Sequence, residues 1–289
     1  MTKTKSKPEK LPWDFKVKQI NLGEIPELKG IKDLERDILL IDADQNSKLG
    51  IVTTEYSVFP HNEAVNKTLE AIEEVSKTDK RFGNFKLNND KVILRRNKSF
   101  MKLDIDFPDL NFNIGKIKKV NDYVNFKMSI INSLDGKNRL KWPIGGTRLI
   151  CSNGLSVFSE IDSVSFVHRG IHIPSLKEAI LNELQSFQKN VIGWKQLSKK
   201  SLKKEDVAKL FSVMEKRNKK DKLIGRQHLK NIIQISEEIF EKEGRNLWTF
   251  YNLASNYTTH SEKVNNSIYT LDRVQEIHSF FYNTVLKVA

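Results

Sequence analysis

The stretch FMKLDIDF at residues 100–107 decides the fold class of this chain. Its apolar side chains occupy every second position, and Lys102, Asp104 and Asp106 lie between them. Successive side chains of a strand point to opposite faces, so this alternation predicts a strand with one buried and one wet face. Strands of this kind are typical of antiparallel sheets, and we expect such a sheet around residue 100.

Strand patterns continue on both sides of this stretch. Single strands are predicted over 15–22, 50–59 and 123–131, and further ones in TRLIC, GLSVF and SVSFVHRGIHI. Residues 85–96 predict a hairpin that turns at Asn88-Asn89-Asp90. Pro60 ends one strand, and a helix with Asn62 as its N-cap is expected to follow. The pair Gly145-Gly146 is interpreted as a turn.

At Pro174 the spacing of the apolar residues changes from every second position to every third or fourth position. Ser175 and Glu178 form a capping box that opens a helix over 176–192. Further helices are predicted by apolar residues at helical spacing, namely Val207, Leu210, Phe211 and Met214; Leu229, Ile232, Ile233 and Phe240; Leu247, Phe250, Tyr251 and Ala254; and Val274, Ile277, Phe281 and Val285. The fold class is therefore α+β: an antiparallel β-rich N-terminal part with at least one helix, followed by an all-helical C-terminal part.

This pattern predicts a simple domain organisation. Residues 1–12 are Lys-rich and nearly without apolar residues, and they predict a disordered basic tail. Residues 13–173 form the β-rich α+β domain, and residues 174–289 form the helical region. The junction has no linker-like composition, so the two parts are able to share one core.

The charge of the chain indicates its class of partner. Its 289 residues contain 49 Lys and Arg against 36 Asp and Glu, a net charge of +13. A basic excess of this size favours polyanionic partners, above all nucleic acid. No apolar run reaches the length of a membrane span, the N-terminus does not resemble a secretory signal, and the single Cys151 excludes an internal disulfide. We therefore expect a soluble cytoplasmic protein without a membrane partner.

Most of the charge excess lies in one block, residues 189–230, which we call the basic segment. It holds 14 Lys and Arg against 4 Asp and Glu, a net charge of +10. Lys outnumbers Arg, which suits attraction to the phosphate backbone better than reading of base edges. Trp194 lies within the segment and is a candidate for stacking on a base. The residues predicted to bind nucleic acid, with DNA favoured, are Lys199, Lys200, Lys203, Lys204, Lys216, Arg217, Lys219, Lys220, Lys222 and Arg226.

Catalytic motifs do not support an enzyme. The chain has no P-loop, no nucleophile-elbow motif and no zinc-helix motif, and we expect neither a cofactor nor a metal. One enzymatic alternative stays open, because Asp104 and Asp106 share a strand face and paired carboxylates hold Mg²⁺ in nucleases. In that alternative His168 joins the site. The simpler interpretation is a polar strand face.

Arg148, Cys151, Asn153 and Gly154 form a further cluster in the sequence. Asn-Gly is a turn signal between two apolar runs, and a cysteine in an apolar run is usually a small core residue. We interpret the cluster as a structural corner. An anion-binding nest formed by the same residues is the less favoured alternative.

Four stretches of the chain resemble one known family. They are GIVTTEYSVFPHNEAV (50–65), IINSLDGKNRLK (130–141), RLICSNGL (148–155) followed by Val167-His168-Arg169, and NLWTFYNLASNYTTH (246–260). Together they are similar to the phage/plasmid-like protein family, a domain of unknown function, over about residues 50–260. The residues that carry the resemblance are Arg148, Cys151, Asn153, Gly154, His168, Trp248, Tyr251, Asn252 and His260. We expect Trp248 and Tyr251 to be core residues of a packed helix, since they lie three apart on an apolar face.

The resemblance implies an origin in a phage, a plasmid or another mobile element, and no established activity. Combined with the charge, it leads to the hypothesis of a non-catalytic nucleic-acid-binding protein that contacts the backbone. Single-strand binding or annealing in recombination or replication, with assembly into homo-oligomers, is its most concrete form. The alternatives are the metal-dependent nuclease-like enzyme and a protein–protein adaptor or inhibitor of host defence.

Overall fold

The computed structural model describes residues 11–148, 156–158, 164–166, 168, 176–221 and 226–260 of the chain. For residues 147, 156–158, 164–166, 217–221, 226, 228 and 254–260 it describes the backbone alone. Antiparallel sheets dominate the N-terminal part and helices the C-terminal part, which confirms the α+β fold. The predicted boundary between residues 173 and 174, most of the predicted tail and the helix predicted around residue 280 lie outside the described residues.

The described elements follow one another in a simple order. The strands are β1 (Val17–Asn21), β2 (Asp37–Asp42), β3 (Ser47–Thr53), β4 (Lys86–Leu87), β5 (Ile93–Arg95), β6 (Phe100–Ile117), β7 (Val120–Ser133), β8 (Leu140–Trp142), β9 (Ile144–Arg148), β10 (Ser156–Phe158) and β11 (Val164–Phe166). The helices are α1 (His61–Thr78), α2 (Leu176–Lys199), α3 (Lys204–Asp221), α4 (Arg226–Glu243) and α5 (Leu247–His260).

The chain divides into two compact units that alternate along the sequence. Unit 1 comprises Met1–Phe107, Met128–Pro143 and Ser163–Leu181, and unit 2 comprises Pro108–Lys127, Ile144–Asp162 and Asn182–Ala289. The strands β6 and β7 contribute residues to both units.

Unit 1 contains a three-stranded antiparallel sheet in the order β1-β2-β3. Its strands are short and rich in Ile, Leu and Val, and they enclose a small core of Phe15, Leu40, Leu49, Val52 and Leu134. Helix α1 begins at His61 directly after Pro60, so Asn62 is a helical residue and its prediction as N-cap is wrong. Proline has no N–H to donate and its fixed φ suits the residue before a helix.

The hairpin predicted over residues 85–96 is also wrong. Strand β4 pairs with β6 at Lys86↔Asp106, and β5 pairs with β6 at Ile93↔Lys102, so the two short strands share one partner. A single turn of 3-10 helix at Asn89–Lys91 separates them. The reason is the length of β6, whose 18 residues offer an edge long enough for both.

The alternation in residues 100–107 is confirmed, because Met101, Leu103, Ile105 and Phe107 are fully buried. Strand β6 continues past the predicted end, since the exposed Pro108 is accommodated within it. It pairs with β7 in the larger sheet, whose order is β10-β9-β7-β6-β4. On the unit 1 side, β8 pairs with β7 and β11 pairs with β8.

Unit 2 has an aromatic core carried by α2 and α5. Phe187 meets Phe126 edge to face at 5.2 Å between ring centroids and Trp194 at 5.4 Å. Trp194 in turn lies 5.6 Å from Trp248. Gly146, predicted in a turn, lies in strand β9 instead. A Cβ there would lie 2.4 Å from a methyl of Val124, so glycine is required by close packing rather than by a turn.

Candidate functional site

The basic segment forms an exposed surface on unit 2. It begins at the end of α2, continues through the connection to α3 and follows α3. We call the exposed lysines of this region the basic face, namely Lys199, Lys200, Lys203, Lys204, Lys209 and Lys216. For Arg217, Lys219, Lys220 and Arg226 the structure describes the helical backbone alone, and Lys222 lies outside the described residues.

The packing of α3 determines which of its residues face solvent. Val207, Leu210, Phe211 and Met214 are at most 7% exposed, so this predicted apolar face is confirmed. The lysines of α3 therefore lie on the opposite side, as expected for an amphipathic helix. Lys203 directly precedes the helix, and Lys216 lies about 20 Å further along at 1.5 Å rise per residue.

Three lysines of this face carry charges that no described acid neutralises. Within the part of the chain that the structure describes, Lys203, Lys204 and Lys216 form no ion pair. Asp206 lies in the same turn, but its carboxylate accepts a hydrogen bond from the backbone N–H of Lys203 at 2.9 Å. The ammonium groups of Lys203, Lys204 and Lys216 therefore remain available to a phosphate.

The suggestion that Trp194 stacks on a base is wrong. Its side chain is 1% exposed, between Phe187 and Trp248. Phe211, the other aromatic residue of the basic segment, is 7% exposed. The described part of this surface thus provides charge without a stacking platform.

A second polar region lies in unit 1, around a cavity of about 370 Å³. We call it the unit 1 cavity, and it is lined by Thr53, Tyr56, His168 and the four residues 136–139. These residues come from three of the four stretches that carry the family resemblance. The three groups of residues are distant from one another in the sequence, and the fold brings them together.

Asp135 organises the turn that forms one wall of the cavity. Its carboxylate pairs with the guanidinium of Arg96 at 2.8 Å and accepts hydrogen bonds from the hydroxyls of Ser99 and Ser133. It also accepts the backbone N–H of Lys137 at 3.2 Å. Gly136 follows with a φ of +72°, a conformation that favours glycine. The turn is therefore fixed on both sides of the Asp-Gly pair, and the acid is neutralised by Arg96.

The far side of this turn carries cationic and amide groups. Lys137 and Arg139 are exposed, and neither forms an ion pair with a described residue. The guanidinium of Arg96 donates to Oδ1 of Asn138 at 2.9 Å, which fixes the orientation of that amide. Its Nδ2 is consequently the atom able to donate to a ligand.

His168 forms another wall of the cavity and is only 3% exposed. Its ring stacks on Tyr56 with 4.7 Å between centroids, and the Tyr56 hydroxyl donates to the backbone oxygen of Ser133 at 2.7 Å. Nδ1 of His168 donates to the backbone oxygen of Ser57 at 3.2 Å. Nε2 is buried and has no hydrogen-bond partner among the described residues.

The state of the His168 ring follows from these contacts. Burial lowers the pKa of His168 below its ordinary value, so the ring is neutral at pH 7. A carbonyl oxygen can only accept, so Nδ1 carries the proton and Nε2 holds a free lone pair. Among the described residues, His168, which lines the cavity beside the unpaired Lys137 and Arg139, therefore has one unused acceptor.

His61 lies deeper in unit 1 and is 1% exposed. One ring nitrogen, Nε2, lies 2.8 Å from the backbone oxygen of Lys98, and the other, Nδ1, lies 3.0 Å from the amide nitrogen of Asn132. Both contacts suit a neutral ring with its proton on Nε2. Burial lowers the pKa of His61 to about 4, although the hydrogen bond to Lys98 opposes that shift.

The remaining family residues that the structure describes build a buried ion pair in unit 2. Arg148, 1% exposed, donates three hydrogen bonds of 2.7–3.0 Å to the carboxylate of Asp122 and one of 2.7 Å to Glu243. The indole N–H of Trp248 also donates to Asp122, at 2.8 Å. Asp122 was not singled out from the sequence, because an isolated acid in a polar strand carries no pattern.

Other members of the family signature pack around this ion pair or lie elsewhere. Trp248 and Tyr251 are each 1% exposed, which confirms their prediction as core residues. Asn252 donates to the backbone oxygen of Trp248 at 2.7 Å. His260 ends α5, where the backbone alone is described, and the predicted corner at Cys151, Asn153 and Gly154 lies outside the described residues.

The acidic strand face considered as a metal site makes structural contacts. Asp104 accepts a hydrogen bond from Ser129 at 2.6 Å, and Asp106 accepts one from Asn88 at 2.7 Å. His168 lines the unit 1 cavity, and neither aspartate does. Among the described residues there is no group of three His, Cys, Asp or Glu that could hold a metal ion.

Together these features define an α+β protein with a polar cavity in one unit and an exposed basic helical surface in the other. The chain belongs to the family described as Domain of unknown function (DUF932), whose model matches residues 48–278. All four resembling stretches lie within that range. No curated protein and no solved structure shows significant similarity to the chain. No helix in its described part combines the length and the apolar content that a membrane crossing requires.

Proposed function

We propose that this protein binds nucleic acid through the phosphate backbone, and that the basic face is the contact surface. The observation that carries the proposal is the row of exposed lysines along α3 and in the connection that precedes it. Of these, Lys203, Lys204 and Lys216 form no ion pair with a described residue. A surface of this kind gains free energy by releasing condensed counterions from the nucleic acid.

The geometry of α3 suits a contact that extends along a strand. About 20 Å separate Lys203 from Lys216, and this distance spans about six base pairs of duplex at 3.4 Å each. The lysines can therefore contact several phosphates of one molecule. Because lysine ammonium groups attract phosphates without reading base edges, the binding is expected to tolerate any sequence.

The proposed biological setting follows from the family resemblance. The four motifs support an origin in a phage, a plasmid or another mobile element, and the single cysteine suits a reducing compartment such as the cytoplasm. Annealing of single strands during recombination or replication is the most concrete role. It requires a basic surface and assembly into homo-oligomers, and it needs no catalytic group.

The experiment is a fluorescence-anisotropy titration of single- and double-stranded DNA oligonucleotides over a series of salt concentrations. The test variant changes Lys203, Lys204, Lys209 and Lys216 to Gln. The matched control changes four exposed lysines of unit 1 to Gln and removes the same net charge, namely Lys16, Lys18, Lys29 and Lys77.

For the wild type, affinity should fall steeply with salt. The test variant should bind all sequences more weakly, and its slope of log affinity against log salt should be shallower by about 3 to 4, since each lost phosphate contact removes about 0.7 to 0.9. The control should retain most of the slope. Wild-type protein that does not bind, or a folded test variant that matches the control, would overturn the proposal and favour the adaptor alternative.

A further inference from the structure

The unit 1 cavity has a composition that the proposed nucleic-acid contact does not use. We infer that it binds a small phosphate ester with a free hydroxyl group, in the chemical class of sugar phosphates and mononucleotides. Its volume of about 370 Å³ lies at the lower end of the range for small-molecule sites, which is suitable for such a ligand. The inference is independent of the basic face, because the two sites have no residue in common.

The charge of the cavity selects an anion. Lys137 and Arg139 both line it, and neither is paired with a described residue. The nearest acid of the turn, Asp135, is already bound by Arg96, two serine hydroxyls and a backbone N–H. Two cations thus remain for the ligand, and a guanidinium with an ammonium is a common phosphate-binding combination.

The amide of Asn138 adds directional recognition. Because Arg96 holds its oxygen, its Nδ2 is left to donate a hydrogen bond. A phosphate has several acceptor oxygens and can receive that hydrogen bond together with those of Lys137 and Arg139.

His168 requires a hydrogen-bond donor, which the phosphate group of a monoester dianion does not provide. Its buried Nε2 is an acceptor without a partner among the described residues, and leaving such an atom unsatisfied costs about 1–3 kcal/mol. A ligand group with a hydroxyl or N–H proton satisfies it, whereas the phosphate oxygens of a monoester dianion can only accept. A phosphate ester in this site therefore carries a donor in addition to its phosphate. Inorganic phosphate has a hydroxyl of its own but fills only a small part of a cavity of about 370 Å³, which favours an ester of a polyol.

The walls are arranged before any ligand binds. Tyr56 stacks on His168 and is held by the hydrogen bond from its hydroxyl to Ser133, and the Nδ1 hydrogen bond to Ser57 fixes the histidine ring. A preorganised site loses less conformational freedom on binding than a flexible one.

Isothermal titration calorimetry on the full chain tests the inference with four probes: ribose 5-phosphate, adenosine 5′-monophosphate, adenosine and inorganic phosphate. We expect the two esters to bind at least tenfold more tightly than adenosine or inorganic phosphate. If adenosine 5′-monophosphate binds more tightly than ribose 5-phosphate, the base makes a contact of its own. If the two esters bind equally well, the sugar phosphate alone is recognised. Absence of ester binding at millimolar concentrations, or equal binding of inorganic phosphate, would overturn the inference.

Two variants assign the recognition to residues. Changing Lys137 and Arg139 together to Gln should weaken ester binding at least tenfold, whereas the charge-matched change of Lys16 and Lys18 to Gln should alter it less than twofold. His168→Phe keeps an aromatic ring for Tyr56 and removes the acceptor. It should weaken ester binding at least tenfold. Unchanged ester affinity in both folded variants would refute the site.

Discussion

Removing the guanidinium of Arg148 should destabilise unit 2 strongly. In the variant Arg148→Met, Asp122 loses three of the four hydrogen bonds that it accepts from described residues, and Trp248 remains as its donor. The Asp122 side chain is 2% exposed, so water does not replace the lost donors. Breaking a buried ion pair on one side costs about 3–5 kcal/mol, and we expect a loss of that size in the free energy of unfolding.

The assay combines equilibrium unfolding in urea with hydrogen exchange of the α5 amides. Exchange reports the opening of unit 2 by itself, even if the two units unfold in separate transitions. The second variant, Arg148→Met with Asp122→Asn, also removes the negative charge of Asp122, which would otherwise be buried without its cation. It should be more stable than Arg148→Met by at least about 1 kcal/mol, because the neutral amide is less costly to bury.

The matched control is Arg245→Met. Arg245 also pairs with a glutamate, Glu237, but the two side chains are 27% and 50% exposed. An ion pair in contact with solvent contributes at most about 1 kcal/mol. If Arg148→Met costs no more than this control, the buried cluster does not hold α5 in place and the reasoning is refuted.

Three further predictions concern single positions. The free energy of unfolding should fall by about 3 kcal/mol as the pH is lowered from about 6.5 to 4. The reason is that His61 takes up a proton in the unfolded chain at these pH values, whereas the buried ring, with its pKa of about 4, does not. His61→Gln should flatten the measured profile of stability against pH. Gly146→Ala should lower the free energy of unfolding by about 1–3 kcal/mol, since its Cβ would lie 2.4 Å from Val124 and 3.0 Å from Phe187. Trp194→Phe should leave nucleic-acid affinity within about twofold in anisotropy titrations, because the indole is 1% exposed.

Each of these predictions has its own control. His168 has a lowered pKa too and contributes with the same sign, so the profile of His61→Gln should flatten in part; an unchanged profile contradicts the assignment. Gly83→Ala is the comparison for Gly146→Ala, because its nearest neighbour would lie 4.0 Å away, and equal costs would rule out a packing effect. A tenfold loss of affinity in folded Trp194→Phe would mean that bases reach the indole.

The sequence predicted the elements whose patterns are local. Residues 100–107 alternate so regularly that burial of every second side chain could be expected, and it is observed. The hairpin at Asn88 could not be judged in the same way, because a turn signal does not reveal that both flanking strands pair with a third. Trp194 was misjudged because its basic neighbours outweighed its spacing from Phe187 and Val191, which places it on the apolar face of α2.

The candidate sites differ in the same respect. The basic face was predicted because its lysines are consecutive or a few residues apart, and charge can be counted along the chain. The unit 1 cavity was not predicted, since Tyr56, Arg139 and His168 are distant in sequence and each is an ordinary residue in its own surroundings. The family resemblance contained the one usable signal, because three of its stretches meet at this cavity.

The alternation of the two units along the chain has a consequence for how the gene can change. Any genetic crossover between codons 108 and 181 would divide both units, because residues of each unit lie on both sides of every junction in that interval. Hybrids between related genes joined there must reassemble both units from two parents, so their compatibility has to extend to every paired strand. The same alternation affects synthesis on the ribosome. Unit 1 is incomplete until Leu181 has emerged, and by then two of the three segments of unit 2 have already been synthesised. Exchange of the gene as one undivided block is the route that preserves the fold.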